Sequence, residues 1–200
     1  MSTSAELLLE TRDAGELAGV LHTLERFGEP ALRFAQGGGV RIVPLHKGER
    51  YAERSAALRR LAIDVDAWPA PPAGLFVVEE RMVYLRSRSP MTVAHEFGHA
   101  LDCVLGGGVY HSTASESMRA LFAQAAAYVT PYAATAPDEY FAESVRAYVE
   151  VNDPNSFWPR ATRMRLKRLD PAMYAYVEAL FACNFTQCVE RPDAGLAQVT

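Results

Sequence analysis

The sequence His95-Glu96-Phe97-Gly98-His99 constrains this chain most, because its spacing has chemical meaning only on a helix. Two histidines four residues apart lie on one face of an α-helix, one turn from each other, so both imidazoles can bind one metal ion. The glutamate after the first histidine would lie beside that metal and could take a proton from a water. The pattern therefore predicts a helix and indicates metal-assisted hydrolysis, most often of a peptide bond.

The residues around the motif predict a buried helix over about 90–105. Ser89 and Pro90 supply an N-cap and a first-turn proline, and the glycines at 106–108 are typical of a helix end. The flanking positions are mostly apolar, and buried imidazoles need partners, which two on one face find most simply in a shared metal. The alternative is a helix that carries two histidines by chance, and the apolar context counts against it.

A catalytic zinc needs a third protein ligand, which must come from elsewhere in the chain. The metzincin class is excluded, because Asp102 and Leu105 stand where it requires glycine and histidine. A second helix, predicted over about 137–151, places Glu139 and Glu143 one turn apart on one face. Either glutamate is a candidate ligand, and the alternative for both is a solvated helix face.

The motifs taken together resemble a known family. The first reads HEFGHALD from His95, a tyrosine follows at Tyr132, and seven residues later Glu139 opens an E-x-F-A-E run that ends at Glu143. This arrangement resembles the catalytic domain of anthrax lethal factor and the Pro-Pro endopeptidases that share that domain. The resemblance implies a single zinc metallopeptidase domain over residues 1–200.

The resemblance also implies the metal ligands and the catalytic base. It implies that His95, His99 and Glu139 bind one Zn²⁺ per chain. Two imidazoles and a carboxylate also favour zinc over other divalent metals. In the same way, Glu96 is expected to act as the general base.

Further roles are expected for three side chains around these ligands. The resemblance implies that Tyr132 donates a hydrogen bond to the tetrahedral oxyanion or protonates the leaving amine. The alternative for Tyr132 is a loop aromatic that packs on the core. Glu143 is expected to orient a histidine ligand, and Asp102, one turn after the motif, is a second candidate for that role.

Chain length and hydrophobic patterning predict a single helix-rich α+β domain. The resemblance implies the zincin type, with a small sheet packed against the motif helix. Two hundred residues, half of them apolar, are enough for one domain with a sizeable core. The strand just before the motif helix is expected to offer an exposed edge to an extended substrate. The other predicted helices are one or two in 4–27, then 50–62, 115–129 and 171–182, and the predicted strands are 31–35, 39–45, 75–78 and 82–85.

Composition limits the partners. The charge of −4, from 20 basic and 24 acidic residues, gives no reason to expect nucleic acid. The first residues lack a basic segment followed by an apolar run, and no membrane span is present, so a cytoplasmic protein without membrane contact is expected. The resemblance instead implies secretion, through a signal already removed or by another export route. A monomer is also expected. The expected partner is a peptide or protein substrate, and the resemblance suggests a proline-rich one.

The leading functional hypothesis is a zinc-dependent endopeptidase, and the resemblance suggests cleavage near prolines. A toxin-like effector protease with one narrow protein target shares the same chemistry and is an alternative. Another is a catalytically silent zinc domain used for binding. The presence of both Glu96 and Tyr132 counts against the silent domain, which usually lacks one of the two.

Overall fold

A computed structural model describes residues 3–10, 14–156 and 160–185 of the chain. Within these ranges helices predominate and enclose a small sheet, which confirms the predicted α+β class. The helices are α1 (Ser4–Leu8), α2 (Ala14–Glu25), α3 (Gly28–Gly37), α4 (Tyr51–Arg54), α5 (Ala56–Leu61), α6 (Pro90–Leu105), α7 (His111–Ala114), α8 (Glu116–Gln124), α9 (Pro137–Tyr148), α10 (Arg163–Leu169) and α11 (Pro171–Ala182). The strands are β1 (Arg41–Pro44), β2 (Gly74–Val77) and β3 (Met82–Leu85), and 3-10 turns cover Val65–Ala67 and Tyr132–Ala134.

Helix α6 carries the histidine motif and has the bounds that the sequence predicts. It begins after Ser89, whose Oγ accepts a hydrogen bond from the backbone N–H of Thr92 at 3.2 Å, and Pro90 is its first residue. It ends before Gly106, whose N–H donates to the carbonyl of Asp102 at 3.0 Å. Most side chains of α6 are buried, and the helix packs against α2, α3, α9 and the sheet. It is therefore the central element of the fold.

The sheet has the strand order β1–β3–β2, so the strand that directly precedes α6 lies in the middle. β3 pairs in parallel with β1 and antiparallel with β2, which confirms the predicted hairpin of residues 75–78 and 82–85. The prediction that the strand before the motif helix has a free edge is wrong, because β3 is paired on both sides. The edge that meets no other strand among the described residues belongs to β2, which also packs against α6.

The two faces of the sheet bury their side chains in two separate clusters. Ile42, Phe76 and Val83 lie in the main core around α6. Val43 and Tyr84 lie in a second cluster, which α4 and α5 cover. This alternation follows from the period of two along a strand. Because both faces are packed, β2 is held firmly beside α6.

Other predictions for the first third of the chain need correction. The predicted strand at 31–35 is part of α3, because a short apolar run fits a helix face as well as a strand. The strand predicted at 39–45 is confirmed as β1. The helix predicted at 50–62 is divided at Ser55, whose side chain accepts a hydrogen bond from the backbone N–H of Leu58 and so caps α5.

Two helices after the motif are shorter than predicted. The helix expected over 115–129 ends with α8 at residue 124. The helix expected over 137–151 ends with α9 at residue 148. Helix α9 ends early because Glu150 has a left-handed φ of 58°. The N–H of Val151, the next residue, donates back to the carbonyl of Arg146 at 3.2 Å. A left-handed residue of this kind closes a helix.

The predictions for the two ends of the described chain are confirmed. Residues 4–27 contain α1 and α2, and the helix predicted over 171–182 is α11. Cys188 lies outside the described residues, and so does any pairing between it and Cys183. Within the described ranges, every helix is too short or too polar to cross a membrane.

Helices α6 and α9 cross closely at Gly98. A Cβ atom at Gly98 would lie 2.9 Å from the Cα of Ala142 and 3.2 Å from its carbonyl oxygen. Both neighbouring atoms belong to the backbone, which cannot move aside as a flexible side chain can. The glycine therefore sets the distance between the two helices that carry the predicted metal ligands.

The substitution Gly98→Ala is expected to lower the free energy of unfolding by about 1–3 kcal/mol, because the added methyl would overlap the backbone of Ala142. The matched control is Gly19→Ala in α2, where an added Cβ meets no atom within 4 Å. There the better helix propensity of alanine should raise stability by up to about 1 kcal/mol. Denaturant unfolding measures both variants. Equal effects of the two substitutions would contradict the close crossing.

Candidate active site

The three predicted metal ligands converge between α6 and α9. Nε2 of His95 lies 3.0 Å from Nε2 of His99 and 3.0 Å from Oε2 of Glu139. The third side of this triangle, from Nε2 of His99 to Oε2 of Glu139, is 3.4 Å. Around a tetrahedral zinc with bonds of 2.0–2.1 Å, neighbouring donor atoms lie about 3.3 Å apart. The three side chains therefore have the spacing that one such ion requires.

The hydrogen bonding of Glu139 also fits a cation. Its Oε2 is buried and has no hydrogen-bond partner in the described part of the chain. An unpaired buried carboxylate oxygen is costly, and a cation held between this oxygen and the two imidazoles would remove that cost. The structure thus contains a His95, His99 and Glu139 group that could bind a metal ion.

The charge around these ligands favours a cation as well. Burial would raise the pKa of Glu139, but the close approach of the His95 and His99 imidazoles holds that pKa well below its usual range. Burial would lower the pKa of His95, but the carboxylates of Glu139 and Glu143, each 3.0 Å from one of its ring nitrogens, raise it to about 10. Both shifts follow from carboxylates grouped around imidazoles. Surroundings that favour a positive charge on His95 also favour a bound metal ion.

Glu96 lies next to this group, on the side of strand β2. Burial raises the pKa of Glu96, although the two histidines act in the opposite direction. The strand approaches closely here, since a Cβ at Gly74 would lie 2.6 Å from Cγ of Glu96 and 3.0 Å from its Oε1. Gly74 therefore leaves the space that Glu96 occupies. A carboxylate with a raised pKa is well suited to accept a proton near neutral pH.

Tyr132 lies next to Glu139, in the 3-10 turn Tyr132–Ala134. Its hydroxyl donates to Oε1 of Glu139 at 2.9 Å, and its ring centroid is 5.4 Å from that of His95. The side chain is 44% exposed, so it does not pack in the core as the alternative interpretation required. Burial of the hydroxyl and the nearby Glu139 raise the pKa of Tyr132, which keeps the phenol protonated and able to donate.

Glu143 contacts a predicted ligand from behind. Its Oε1 lies 3.0 Å from Nδ1 of His95, the ring atom that faces away from the ligand triangle. Its Oε2 accepts a hydrogen bond from the hydroxyl of Thr130 at 2.7 Å. The structure thus brings Glu143 to the position in which a carboxylate can orient a metal-binding imidazole.

Asp102 is buried in a different set of contacts. Its Oδ1 accepts a hydrogen bond from the backbone N–H of Ser112 at 2.8 Å, and its Oδ2 accepts one from the Ser112 hydroxyl. Nδ1 of His99 has no hydrogen-bond partner among the described residues. Asp102 is therefore not joined to a histidine by a described hydrogen bond, and its role in orienting a ligand stays a prediction.

An open cleft leads from the surface to His95 and Glu96. The loop before β2 and the first turn of α6 form two of its walls, and Tyr132 contributes to the lining. The residues of these two walls are Pro72, Ala73, Gly74, Met91 and Thr92.

A comparison with solved structures shows that the chain has a known fold. No family profile matches the sequence, and the curated proteins give no match. Among solved structures, the Pro-Pro endopeptidase PPEP-2 from Paenibacillus alvei aligns with a TM-score of 0.62, over 89% of this chain and 100% of that chain. The chain folds like a Pro-Pro endopeptidase. At 20% sequence identity the likeness concerns the fold, and it confirms the predicted helix-rich domain with a small sheet.

For three residues of the site, the sequence predicted no role. Gly74 matters only because β2 and α6 come together, and no local pattern signals that approach. Thr130 reaches Glu143 from a loop of irregular structure. Arg146 follows Glu143 by three residues on the same helix, and this ion-pair spacing was a signal that could have found it.

Proposed function

We propose that this protein is a zinc-dependent endopeptidase that hydrolyses peptide bonds near prolines. The observation that carries the proposal is the triangle of donor atoms from His95, His99 and Glu139, with sides of 3.0–3.4 Å. Glu96 and Tyr132 both line the cleft that reaches this triangle, and they supply a base and a hydrogen-bond donor. The fold shared with a Pro-Pro endopeptidase supports the proposal independently.

The roles of the side chains follow from their positions. When bound, zinc supplies Lewis-acid activation of a water and of the scissile carbonyl. Glu96 takes the proton of the attacking water and transfers it to the leaving amine. Tyr132 donates a hydrogen bond to the oxygen on which negative charge develops. Glu143 accepts a hydrogen bond from the Nδ1–H of His95, which fixes the tautomer that leaves Nε2 free to bind the metal.

The proposed substrate is an extended peptide. The free edge of β2 can bind its main chain by strand addition, because strand edges carry unpaired N–H and C=O groups. Pro72, Ala73 and Met91 give the cleft an apolar wall, which suits a proline ring. All the proposed site residues belong to one chain, so a monomer is sufficient for activity.

Cleavage of a proline-containing peptide library, read by mass spectrometry, tests this function. The wild-type protein is expected to cut a subset of the peptides and to reveal the residues preferred on each side of the bond. The matched blank is Glu96→Gln, in which those cuts should disappear. Failure of the wild type to cut any peptide, or cuts that persist in the blank, would contradict the proposal.

The substitution Tyr132→Phe is expected to lower kcat by about 10²–10³-fold with little change in KM, because it removes one donor to the developing oxyanion. The assays use saturating zinc, because the same hydroxyl donates to Oε1 of the proposed ligand Glu139 and its loss is also expected to weaken zinc binding. Tyr128→Phe is the matched control, because that hydroxyl donates to the backbone of Phe122 instead. Steady-state kinetics on a cleaved peptide measure both, and unchanged turnover in Tyr132→Phe would refute the role.

A further inference from the structure

A fully buried arginine lies behind the candidate metal site, and the roles proposed above do not use it. The side chain of Arg146 is 1% exposed. Its Nε and Nη2 donate to the two oxygens of Glu143, each at 2.8 Å. Its Nη1 donates to the carbonyl of Val151 at 2.9 Å and contacts Oδ1 of Asn152 at 3.4 Å. The guanidinium is therefore fixed on both sides, by the carboxylate and by the chain that follows α9.

The carboxylate held by this fork connects two parts of the proposed site. Oε1 of Glu143 contacts Nδ1 of His95, and its Oε2 accepts a hydrogen bond from the hydroxyl of Thr130. The Thr130 oxygen in turn accepts the backbone N–H of Ala133 at 3.2 Å, within the turn that carries Tyr132. The carboxylate of Glu143 thus contacts α6 through His95 and, through Thr130, the turn that carries Tyr132.

The chemistry of arginine suits this position better than that of any other cation. A planar guanidinium binds both oxygens of a carboxylate at once and fixes the plane of the group, whereas the lysine ammonium acts as a point charge. A buried carboxylate without a cation is also strongly disfavoured. Arg146 therefore determines both the charge and the orientation of Glu143.

We propose that Arg146 is a positioning residue of the metal site. It holds Glu143 so that the carboxylate sets the ring of His95 and, through Thr130, the turn of Tyr132. This inference rests on the proposed metal-dependent function. Loss of a group that supports a metal-binding histidine typically costs about 10–100-fold in metal affinity, and we expect a loss of that size in Arg146→Met. Arg146→Lys should recover it only in part, because lysine keeps the charge but not the fork.

The zinc dissociation constants of the purified variants, measured by competition with a chromophoric chelator, test this role. We expect Arg146→Met and Glu143→Gln each to weaken zinc binding by about 10–100-fold. The double variant should be no weaker than the weaker single variant, because both substitutions break one chain of contacts. The visible absorption spectrum of Co²⁺ bound in place of zinc should also change in the variants, since it reports the geometry of the ligands.

Tyr140→Phe is the matched control for a merely structural effect. This residue is also buried on α9, and its hydroxyl donates to Asp170, away from the ligands. It should lose stability without losing zinc affinity or changing the cobalt spectrum. If Arg146→Met does not fold, Arg146→Lys decides the question alone.

The outcomes separate this inference from the proposed function. A wild-type protein that binds no zinc would refute the function itself. Wild-type zinc affinity and an unchanged cobalt spectrum in the folded Arg146 variants would overturn only the positioning role. Additive losses in Arg146→Met and Glu143→Gln would overturn it as well, because they would show that Arg146 does not act through Glu143.

Discussion

Glu96→Gln is expected to lower kcat for peptide hydrolysis by about 10²–10⁴-fold, the usual contribution of a general base. Glutamine has the shape of glutamate, so it fits the space beside Gly74 without moving the strand. It cannot take the proton of the attacking water. Because Glu96 is not among the three donor atoms, zinc affinity and thermal stability should stay close to those of the wild type.

Steady-state kinetics and zinc content together measure this prediction. The matched control is Glu80→Gln. Glu80 accepts hydrogen bonds from Ala57 and Tyr84 beside the second cluster of the sheet, and it is not part of the donor triangle. The control should keep full activity. If Glu96→Gln binds zinc normally and retains more than about a tenth of the wild-type kcat, Glu96 is not the base.

His99→Ala is expected to remove both the metal and the activity. A structural zinc site with four ligands binds with about 10–16 kcal/mol, so the loss of one of three ligands should cost on the order of 3 kcal/mol. That figure corresponds to more than about 100-fold in zinc affinity. Turnover should fall below detection at zinc concentrations that saturate the wild type.

Equilibrium dialysis against zinc, followed by elemental analysis, gives the affinity of this variant. The control is His46→Ala, because the His46 side chain is exposed and lies outside the proposed site. It should bind one zinc per chain as the wild type does. Undiminished zinc binding by folded His99→Ala would show that the metal, if any, is held elsewhere.

The sequence was sufficient for the parts of the site that local rules determine. The two histidines one turn apart, the cap at Ser89 and the glycines at 106–108 all depend on neighbours within a few residues. For that reason, the bounds of α6 and the convergence of His95 with His99 could be predicted. The pairing with Glu139 followed from the family resemblance, which carries long-range information that spacing alone lacks.

The features that the sequence did not predict depend on contacts between distant segments. The strand order of the sheet, which moves the free edge from β3 to β2, is decided by the pairing of β1 with β3. Residues 31–35 form a helix because α3 packs against α6, although their apolar run fits a strand equally well. The end of α9 depends on a left-handed residue, Glu150, for which the sequence offers no glycine as a signal.

The buried pair of Arg146 and Glu143 behind the site also could not be predicted from the sequence alone. In the sequence, Arg146 is one charged residue among several on the predicted helix. Only the fold shows that it is buried and that its fork closes on Glu143. A charge can be read from the sequence, but its burial depends on helices that pack around it, and burial is what gives this arginine its effect.

Titration of the metal-free protein with zinc, followed by the initial rate on a peptide that it cleaves, tests the central claim most directly. The account predicts no activity after chelation and a linear return of activity that stops at one zinc per chain. Activity that survives chelation would contradict the claim. So would uptake of one zinc per chain that restores no activity, which would indicate a silent zinc-binding domain.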